Sequence, residues 1–179
     1  MPEGALETER LRLRDWREDD VEHLVRLGLD ERFMRYLAPG GRLASREDAD
    51  ESLRRYRRHW EEHGYGVWAA EERASGRLVG RLGLSHHRLW PQDVEVGWGL
   101  DPAVWGRGYA TEGGAAALAH AFETLALERV ISIVHPENAA SIAVMERLGI
   151  RPWRTAHWPE GDIDLEVRAI SRTAWLRGR

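Results

Sequence analysis

The stretch that decides the fold reads Val94-Glu-Val-Gly-Trp-Gly-Leu100-Asp-Pro-Ala-Val-Trp105-Gly-Arg-Gly-Tyr-Ala-Thr-Glu112. Its first seven residues alternate apolar side chains with glutamate or glycine, which predicts a strand over 94–100 that ends at Asp101-Pro102. Gly106 and Gly108 follow, and a segment rich in alanine then predicts a helix that begins after Gly108. A strand therefore leads through a short glycine loop into a helix.

The two glycines of this loop are consistent with two interpretations. Without side chains, their N–H groups are open to a phosphate at the positive end of the helix dipole, which predicts an anion site of the pyrophosphate type. The same glycines would also suit a tight turn that requires positive φ. A Walker loop would need Gly-Lys-Ser/Thr, which is absent here, and a dinucleotide fingerprint would need glycine where Thr111 stands. Both of those phosphate-loop classes are therefore disfavoured.

Outward from the loop, sequence periodicity predicts the other elements. Leu11 and Leu13 alternate with arginines as in a half-buried strand, and Ser45 begins a relative of the capping box. Ala74-Ser75-Gly76 predicts a hairpin turn and Pro39-Gly40-Gly41 a loop. The predicted order β-α-α-β-β-β-α-β-α-β-β is that of one mixed α/β domain over 1–179. Its strands are expected near 10–14, 66–71, 78–85, 94–100, 129–134, 153–158 and 163–170, and its helices near 18–28, 45–64, 109–124 and 138–148.

Composition limits the classes of function. The chain has 179 residues, 42% hydrophobic, which suffices for one core. It has no cysteine, which excludes a thiolate nucleophile and cysteine-ligated metals. The net charge of −4 with mixed signs does not predict a nucleic-acid partner, and no apolar run predicts a membrane span or a signal peptide. A cytoplasmic protein is the expectation.

Three motifs resemble the GNAT acetyltransferase superfamily, in the branch typified by ribosomal-protein N-terminal acetyltransferases. They follow an opening strand, Thr8-Glu-Arg-Leu-Arg-Leu-Arg14, that is also similar to that branch. The motifs are Glu95-Val-Gly-Trp-Gly-Leu100-Asp-Pro, Trp105-Gly-Arg-Gly-Tyr-Ala-Thr-Glu112, and Asn138-Ala-Ala-Ser141 followed by Glu146-Arg-Leu-Gly149. The resemblance implies a GNAT-like twisted, mostly antiparallel sheet flanked by helices.

The resemblance also implies acetyl-CoA or coenzyme A as cosubstrate and an amine acceptor, a peptide N-terminus or a small molecule. Amides of the loop would bind the pyrophosphate, and main-chain groups of the preceding strand would pair with the pantetheine arm. The implied oligomeric state is a monomer or a homodimer. The cofactor-binding residues so implied are Trp98, Gly99, Leu100, Trp105, Gly106, Arg107, Gly108, Tyr109, Ala110, Thr111, Asn138 and Ser141.

Two residues are candidates for catalysis. Glu95 lies beside the implied acetyl site and is the candidate base, but strand alternation puts it on the face opposite Val94 and Val96 unless a bulge at Gly97 or Gly99 intervenes. An ordinary surface carboxylate is the alternative. Ser141 is the candidate partner of the departing thiolate, and its alternative is a local bond to a helix carbonyl. Many superfamily members have a tyrosine four residues later, where this chain has Met145.

Asn138 is expected to cap the helix that carries Ser141, and the resemblance adds a contact to the pantetheine amide. Gly113-Gly114 departs from the branch, which often has alanine inside this helix. Each glycine inside a helix costs about 1 kcal/mol relative to alanine. His86-His87 follows a predicted strand, and neighbouring strand residues point to opposite faces, so no metal site is expected.

Three functions remain open from the sequence. The first is acetyl transfer from acetyl-CoA to a primary amine by direct attack in a ternary complex. The second is a non-catalytic acyl-CoA sensor, and the third, which lacks the third glycine, is an NAD(P)-dependent oxidoreductase.

Overall fold

The computed structural model describes residues 5–37, 45–87, 90–159 and 161–178. One eight-stranded sheet runs through these ranges in the order β1-β2-β3-β4-β5-β6-β8-β7. Each neighbouring pair is antiparallel except β5 and β6, which are parallel. The strands are β1 Leu6–Glu7, β2 Leu11–Arg14, β3 Val67–Glu72, β4 Leu78–His87, β5 Trp90–Leu100, β6 Arg129–Val134, β7 Arg151–Trp158 and β8 Ile163–Ser171.

In the described ranges, six α-helices accompany the sheet: α1 Val21–Gly28, α2 Glu31–Met34, α3 Arg46–His63, α4 Tyr109–Ala119, α5 Ala139–Arg147 and α6 Arg172–Arg177. A π-helical turn over His120–Thr124 extends α4. This mixed α/β fold with a mostly antiparallel sheet confirms the predicted class. β1, α2 and α6 were not predicted, because elements of two to six residues are too short to show a period. The predicted loop Pro39-Gly40-Gly41 lies outside the described residues.

The helices cover the two faces of the sheet differently. α4 packs on β4 and β5 over a core that includes Trp68, Leu82 and Val96. α1 and α3 cover the opposite face, where Val67 and Ala69 join a second cluster. None of the helices in the described ranges is long and apolar enough to cross a membrane.

The glycine pair inside α4 has a packing reason. A Cβ at Gly113 would lie 2.8 Å from the Cδ atoms of Leu82 in β4, and a Cβ at Gly114 would lie 2.8 Å from Leu148 Cδ1 beyond α5. Real Cβ atoms do not approach so closely, so alanine at either position would have to displace its neighbour. The cost in helix propensity is thus offset by close contact of α4 with the sheet and with α5.

The parallel pair β5 and β6 is joined at a single register point, Glu95 opposite Ile131. β5 continues to Leu100 in register with β4, and β6 continues to Val134 in register with β8. The two strands therefore separate beyond this point and open a wedge in the middle of the sheet.

Candidate active site

Two side chains connect β5 and β6 at the point where the parallel pairing of these strands stops. The Ser132 hydroxyl, buried on β6, donates to the Val96 carbonyl at 2.8 Å. The Ile133 N–H donates to the Glu95 carboxylate. Both contacts use main-chain groups that a continuous ladder would have paired with each other, so Ser132 and Glu95 connect the strands at the point where they diverge.

A cavity of about 360 Å³ lies at this wedge. It collects the predicted residues Glu95 and Trp98 from β5 and Asn138 and Ser141 from the start of α5. The other lining residues come from the strands β3 to β8, from the turns that follow β6 and β7, and from the segment after α2: Arg35, Tyr36, Leu37, Val67, Arg81, Gly83, Ser85, Gly97, Ser132, Ile133, Val134, His135, Trp158, Gly161, Ile163 and Leu165.

Glu95 reaches the cavity through strand alternation alone. It pairs with Ser85 in an unbroken register from Val94 to Leu100, and the one irregularity of this pair lies at His86/His87, so no bulge at Gly97 or Gly99 intervenes. The face opposite Val94 and Val96 is the face that lines the cavity. The alternation that made Glu95 doubtful as a base is therefore what directs it into the cleft.

The surroundings of Glu95 favour its neutral form. Burial raises the pKa of Glu95 from its ordinary value of 4.5 to about 7, although the Ile133 N–H and the charge of Arg81 act in the opposite direction. A carboxyl group with a pKa near 7 is half ionised at neutral pH, which is the condition under which a general base works best. A solvated surface carboxylate would not behave in this way.

The edge of β5 along the wedge presents particular main-chain groups. Val96 directs its carbonyl toward β6, and Asp101 donates its N–H to Val79 in β4. Alternation then places the main-chain groups of Trp98 and Leu100 on the wedge side and those of Gly99 on the β4 side. The Leu100 carbonyl accepts from Trp105 Nε1 at 2.8 Å. Of the three residues implied for the pantetheine arm, Trp98 therefore has its N–H and carbonyl on the wedge side, and neither group is hydrogen-bonded to a side chain of the loop. The Leu100 carbonyl is occupied by Trp105, and the main chain of Gly99 faces β4.

The glycine loop has the geometry of an anion cradle. Gly106 and Gly108 have φ of +77° and +82°. A Cβ at Gly106 would meet nothing within 4 Å, and one at Gly108 would meet only Arg10 Nη2, at 3.3 Å. Gly108 is the N-cap of α4 and supplies no capping side chain, so the first-turn amides of Tyr109, Ala110 and Thr111 lack intrahelical acceptors. Both interpretations of the glycines thus apply together, a positive-φ turn and an open amide cradle.

The loop is braced by residues near the start of the chain. The Glu112 carboxylate accepts from Arg10 N and Arg10 Nε, each at 2.7 Å, and from the Thr8 hydroxyl at 2.6 Å. Arg10 Nη1 also donates to the Arg107 carbonyl at 2.8 Å. Both segments belong to motifs found in the sequence, but their contact was not predicted. No periodicity connects Arg10 with Glu112, which lie 102 residues apart.

The remaining loop side chains point away from the first-turn amides. The Tyr109 hydroxyl donates to Glu72, the residue that ends β3. Arg107 Nη1 lies 3.7 Å from the same carboxylate, and Trp105 is half exposed. Arg107 and Trp105 therefore remain accessible at the outer rim of the loop.

Asn138 caps α5 as predicted, since its Oδ1 accepts from Ser141 N at 3.1 Å. This contact uses the main chain of Ser141 and leaves its hydroxyl at the cavity wall. Met145, at the position of the superfamily tyrosine, is buried in the core at 1% exposure. Of these two α5 positions, Ser141 alone lines the cavity.

The sequence model for the Acetyltransferase (GNAT) domain matches residues 10–151. This chain belongs to the GNAT acetyltransferase family. Membership in the GNAT family implies acetyl transfer from acetyl-CoA. The matched range includes Glu95, the glycine loop and Ser141, whereas the cavity residues of β7 and β8 lie beyond it.

Several GNAT relatives and related sequences are similar along the chain. The uncharacterized N-acetyltransferase YnaD of Bacillus subtilis is 27% identical over 80% of this chain and 81% of its own. FsC-acetyl coenzyme A-N(2)-transacetylase of Aspergillus fumigatus is 35% identical over 64% of this chain and 53% of its own. YkkB of Bacillus subtilis, described as an uncharacterized protein, is 34% identical, and the match spans 52% of this chain and 56% of that relative.

Solved GNAT structures share the fold. An acetyltransferase from Agrobacterium tumefaciens superposes with a TM-score of 0.80 at 30% identity over 93% of both chains. A GNAT-family acetyltransferase from Bacillus anthracis gives 0.80 at 25% identity over 94% of this chain and 99% of its own. A spermidine N-acetyltransferase from Vibrio cholerae, in complex with CoA and spermine, gives 0.75 at 19% identity over 94% and 99%, which supports the fold alone.

Proposed function

We propose that this protein transfers an acetyl group from acetyl-CoA to a primary amine by direct attack in a ternary complex, within one acetyltransferase domain over 1–179. The observation that carries the proposal is that Glu95 and Ser141 line one cavity at the wedge between β5 and β6. A base and a hydroxyl that face one cavity are the two groups that transfer from a thioester to an amine requires.

The chain offers a fitting place for the pyrophosphate and the pantetheine arm of CoA. First-turn amides of α4 are open where side chains at Gly106 and Gly108 would otherwise stand, which suits a pyrophosphate. Trp98 presents its main chain at the wedge side of β5, where a pantetheine amide would pair like an added strand. The Asn138 side-chain N–H₂ is available to the same arm, because its Oδ1 already caps α5. When bound, acetyl-CoA supplies the activated acetyl group.

Glu95 is assigned the proton of the attacking amine. Its pKa of about 7 lies close to the roughly 7.7–8.0 of an α-amine, so proton transfer between them is nearly balanced. Ser141 is assigned the sulfur of the departing thiol, to which its hydroxyl can donate a hydrogen bond. With no cysteine in the chain, an acyl-enzyme on a thiol is excluded.

The charges of the cleft favour an acceptor with a negative group near its amine. Arg81 lines the cavity on β4, and among the described residues its guanidinium has no hydrogen bond and no ion pair within 4.0 Å. Arg35 adds a second cation at the rim. Two guanidinium groups attract a carboxylate and repel a polyamine, so amino acids or peptides with a nearby carboxylate are the proposed class. The resemblance to the ribosomal-protein N-terminal acetyltransferase branch is consistent with a peptide acceptor.

An acetyl-transfer assay tests the function. Peptide N-termini, free amino acids, amino-acid amides and spermidine are supplied with acetyl-CoA, and CoA release is followed together with the mass of the acceptor. We expect acetylated product, with carboxylate-bearing amines ahead of spermidine. Tight CoA binding without any acetylated amine in this panel would favour the non-catalytic sensor instead.

A further inference from the structure

A cluster of histidine side chains lies outside the cleft, where the end of α3 meets the end of β4. His59 and His63 are one helical turn apart on α3, so they share a face, and His86 approaches them from β4. Ring centroids are 4.4 Å apart for His59 and His63 and 4.9 Å for His63 and His86. One ring nitrogen from each residue lies within 4.8 Å of the others.

The proton positions on His59 are determined by its neighbours. Its Nδ1 lies 2.8 Å from the Tyr65 carbonyl, which can only accept, so Nδ1 carries the proton. Its Nε2 accepts a hydrogen bond from the main-chain N–H of His86 at 3.2 Å, so an ion bound at Nε2 would replace this hydrogen bond. A carbonyl that holds Nδ1–H is the usual second partner of a metal-ligating histidine.

His86 has one ring nitrogen satisfied and one not. Its Nε2 lies 2.8 Å from the Tyr65 hydroxyl, while its Nδ1 is buried without a hydrogen-bond partner among the described residues. A buried polar nitrogen without a partner is uncommon and costs free energy. With the proton on Nε2 donated to Tyr65, His86 would direct a free lone pair from Nδ1.

The cluster has the composition of a transition-metal site. Neutral imidazoles suit Zn²⁺, Cu²⁺ and Ni²⁺, whereas Mg²⁺ and Ca²⁺ prefer oxygen. Zn–N bonds of about 2.0–2.1 Å put tetrahedral nitrogens about 3.4 Å apart, so the rings must close slightly from the observed spread. His63 is exposed at the end of the helix and has the freedom to turn inward. Its exposed side also leaves room for water as a fourth ligand.

We propose that His59, His63 and His86 form a binding site for a divalent transition-metal ion, with Zn²⁺ as the expected ligand. None of the three histidines lines the catalytic cavity, so the ion has a structural role. It cross-links the C-terminal turn of α3 to the end of β4, next to Ser85, which lines the cavity and pairs with Glu95. No metal site was expected from the sequence, because adjacent residues of a predicted strand, such as His86 and His87, point to opposite faces. The proposed site instead combines His86 with two histidines of α3.

The test uses the full chain without a histidine tag, freed of metal by a chelator and then titrated with Zn²⁺ by calorimetry. We expect one equivalent per chain and a rise in Tm, because an ion that binds the folded state stabilises it. His63→Ala removes an exposed ring and should fold normally, yet weaken Zn²⁺ binding at least tenfold, the lower end of what loss of a supporting partner costs. Co²⁺ in place of Zn²⁺ should show the visible absorption of a four-coordinate ion.

His157→Ala is the matched control, since His157 is also exposed but lies on the edge strand β7, four strands away from β4. It should leave the affinity unchanged. No Zn²⁺ binding by the wild-type chain, or binding that His63→Ala and His86→Ala leave intact, would overturn the proposal. Because CoA binding and acetyl transfer do not enter these measurements, their outcome is independent of the proposed function.

Discussion

At the scale of single residues, the cleft pairs two groups that handle protons in opposite directions. In the proposed reaction, Glu95 must lose its own proton before it can accept one from the amine, while Ser141 donates a hydrogen bond to sulfur. The partly buried position of Glu95 between Ile133 and Arg81 sets the pH at which the first of these conditions is met.

Replacing Glu95 by glutamine should remove one limb of the pH profile. In the wild type, kcat/KM should rise with pH through about 7 as the carboxylate forms. A second limb should follow the acceptor, near 7.7–8.0 for an α-amine and near roughly 10.4 for an alkyl amine. pH profiles measured with both acceptors separate the enzyme's limb from the acceptor's limb. In the wild type the limb near 7 should stay in place when the acceptor is changed, and in Glu95→Gln it should disappear.

The same substitution has a stability readout. The folded protein holds the Glu95 proton up to a higher pH than the unfolded chain, so stability falls as pH rises from about 4.5 to about 7. Glu95→Gln should lack this part of the fall. An activity loss that is independent of pH and accompanied by lost CoA binding would instead identify Glu95 as a structural acceptor for Ile133 N–H.

Ser141→Ala should lower kcat and leave the Kd for CoA nearly unchanged. General-acid assistance is worth about 100- to 10,000-fold, and an orienting bond less. The helix cap is preserved, because Asn138 accepts from the main chain of Ser141. Ser52→Ala on α3 removes a helical hydroxyl outside the cavity and serves as the control. Wild-type kcat in Ser141→Ala would mean that water protonates the thiolate.

At the scale of elements, the loop before α4 joins the sheet to the helix and is held by the start of the chain. Two positive-φ glycines shape it, and the contacts of Arg10 and Thr8 with Glu112 fasten it. The geometry of the loop and its fastening can be tested separately.

Gly108→Val should abolish CoA binding. A branched side chain is strained at φ of +82° and would occupy the space that the phosphates need. Gly64→Val is the matched control, because Gly64 has φ of +71° at the end of α3 and open space around it. Both variants should lose stability by a similar amount, and Gly64→Val alone should retain CoA binding in calorimetry. Wild-type affinity in a folded Gly108→Val protein would contradict the assignment of the loop.

Glu112→Gln should loosen the loop. The amide of the glutamine keeps one acceptor oxygen, but its N–H₂ group faces the Arg10 guanidinium, so two donors meet. We expect this loss of a hydrogen-bond acceptor to lower the free energy of unfolding by about 1–3 kcal/mol. Burial alone would raise the pKa of Glu112, yet the bonds from Thr8 and Arg10 hold it below its ordinary value. The wild type should therefore lose stability as pH falls below about 4.5, and Glu112→Gln should lose less. Glu9→Gln, an exposed neighbour, should match the wild type in thermal unfolding.

At the scale of the whole molecule, the proposed binding of acetyl-CoA should connect the two sides of the wedge, because α4 packs on β5 and α5 packs on β6. Ligand at about 100 times its Kd adds about 2.7 kcal/mol to the stability of the folded state. For a chain of this size, that should raise Tm by about 5–10 °C. Acetyl-CoA and CoA should produce the shift and NADPH should not. A shift with NADPH alone would support the nucleotide-binding alternative.

The sequence by itself determined most of the helices and strands and the glycine loop, and it named Glu95, Asn138 and Ser141 as candidate site residues. Alternation from Val94 to Leu100, the helix start after Gly108 and the cap at Asn138 are local patterns, and local sterics and hydrogen bonds suffice to set them. The structure retains each of these features within a few residues of the predicted bounds.

Only the tertiary structure decided what these elements do together. Alternation showed that Glu95 and Val96 face opposite ways, but the order of the strands decided which face became the cleft. The wedge at Ile131, the pairing of Arg10 with Glu112 and the meeting of His59 with His86 join residues 27 to 102 positions apart. The physical reason is one of range: backbone propensities act over a few residues, whereas burial and burial-dependent pKa values arise once distant segments have packed and excluded water.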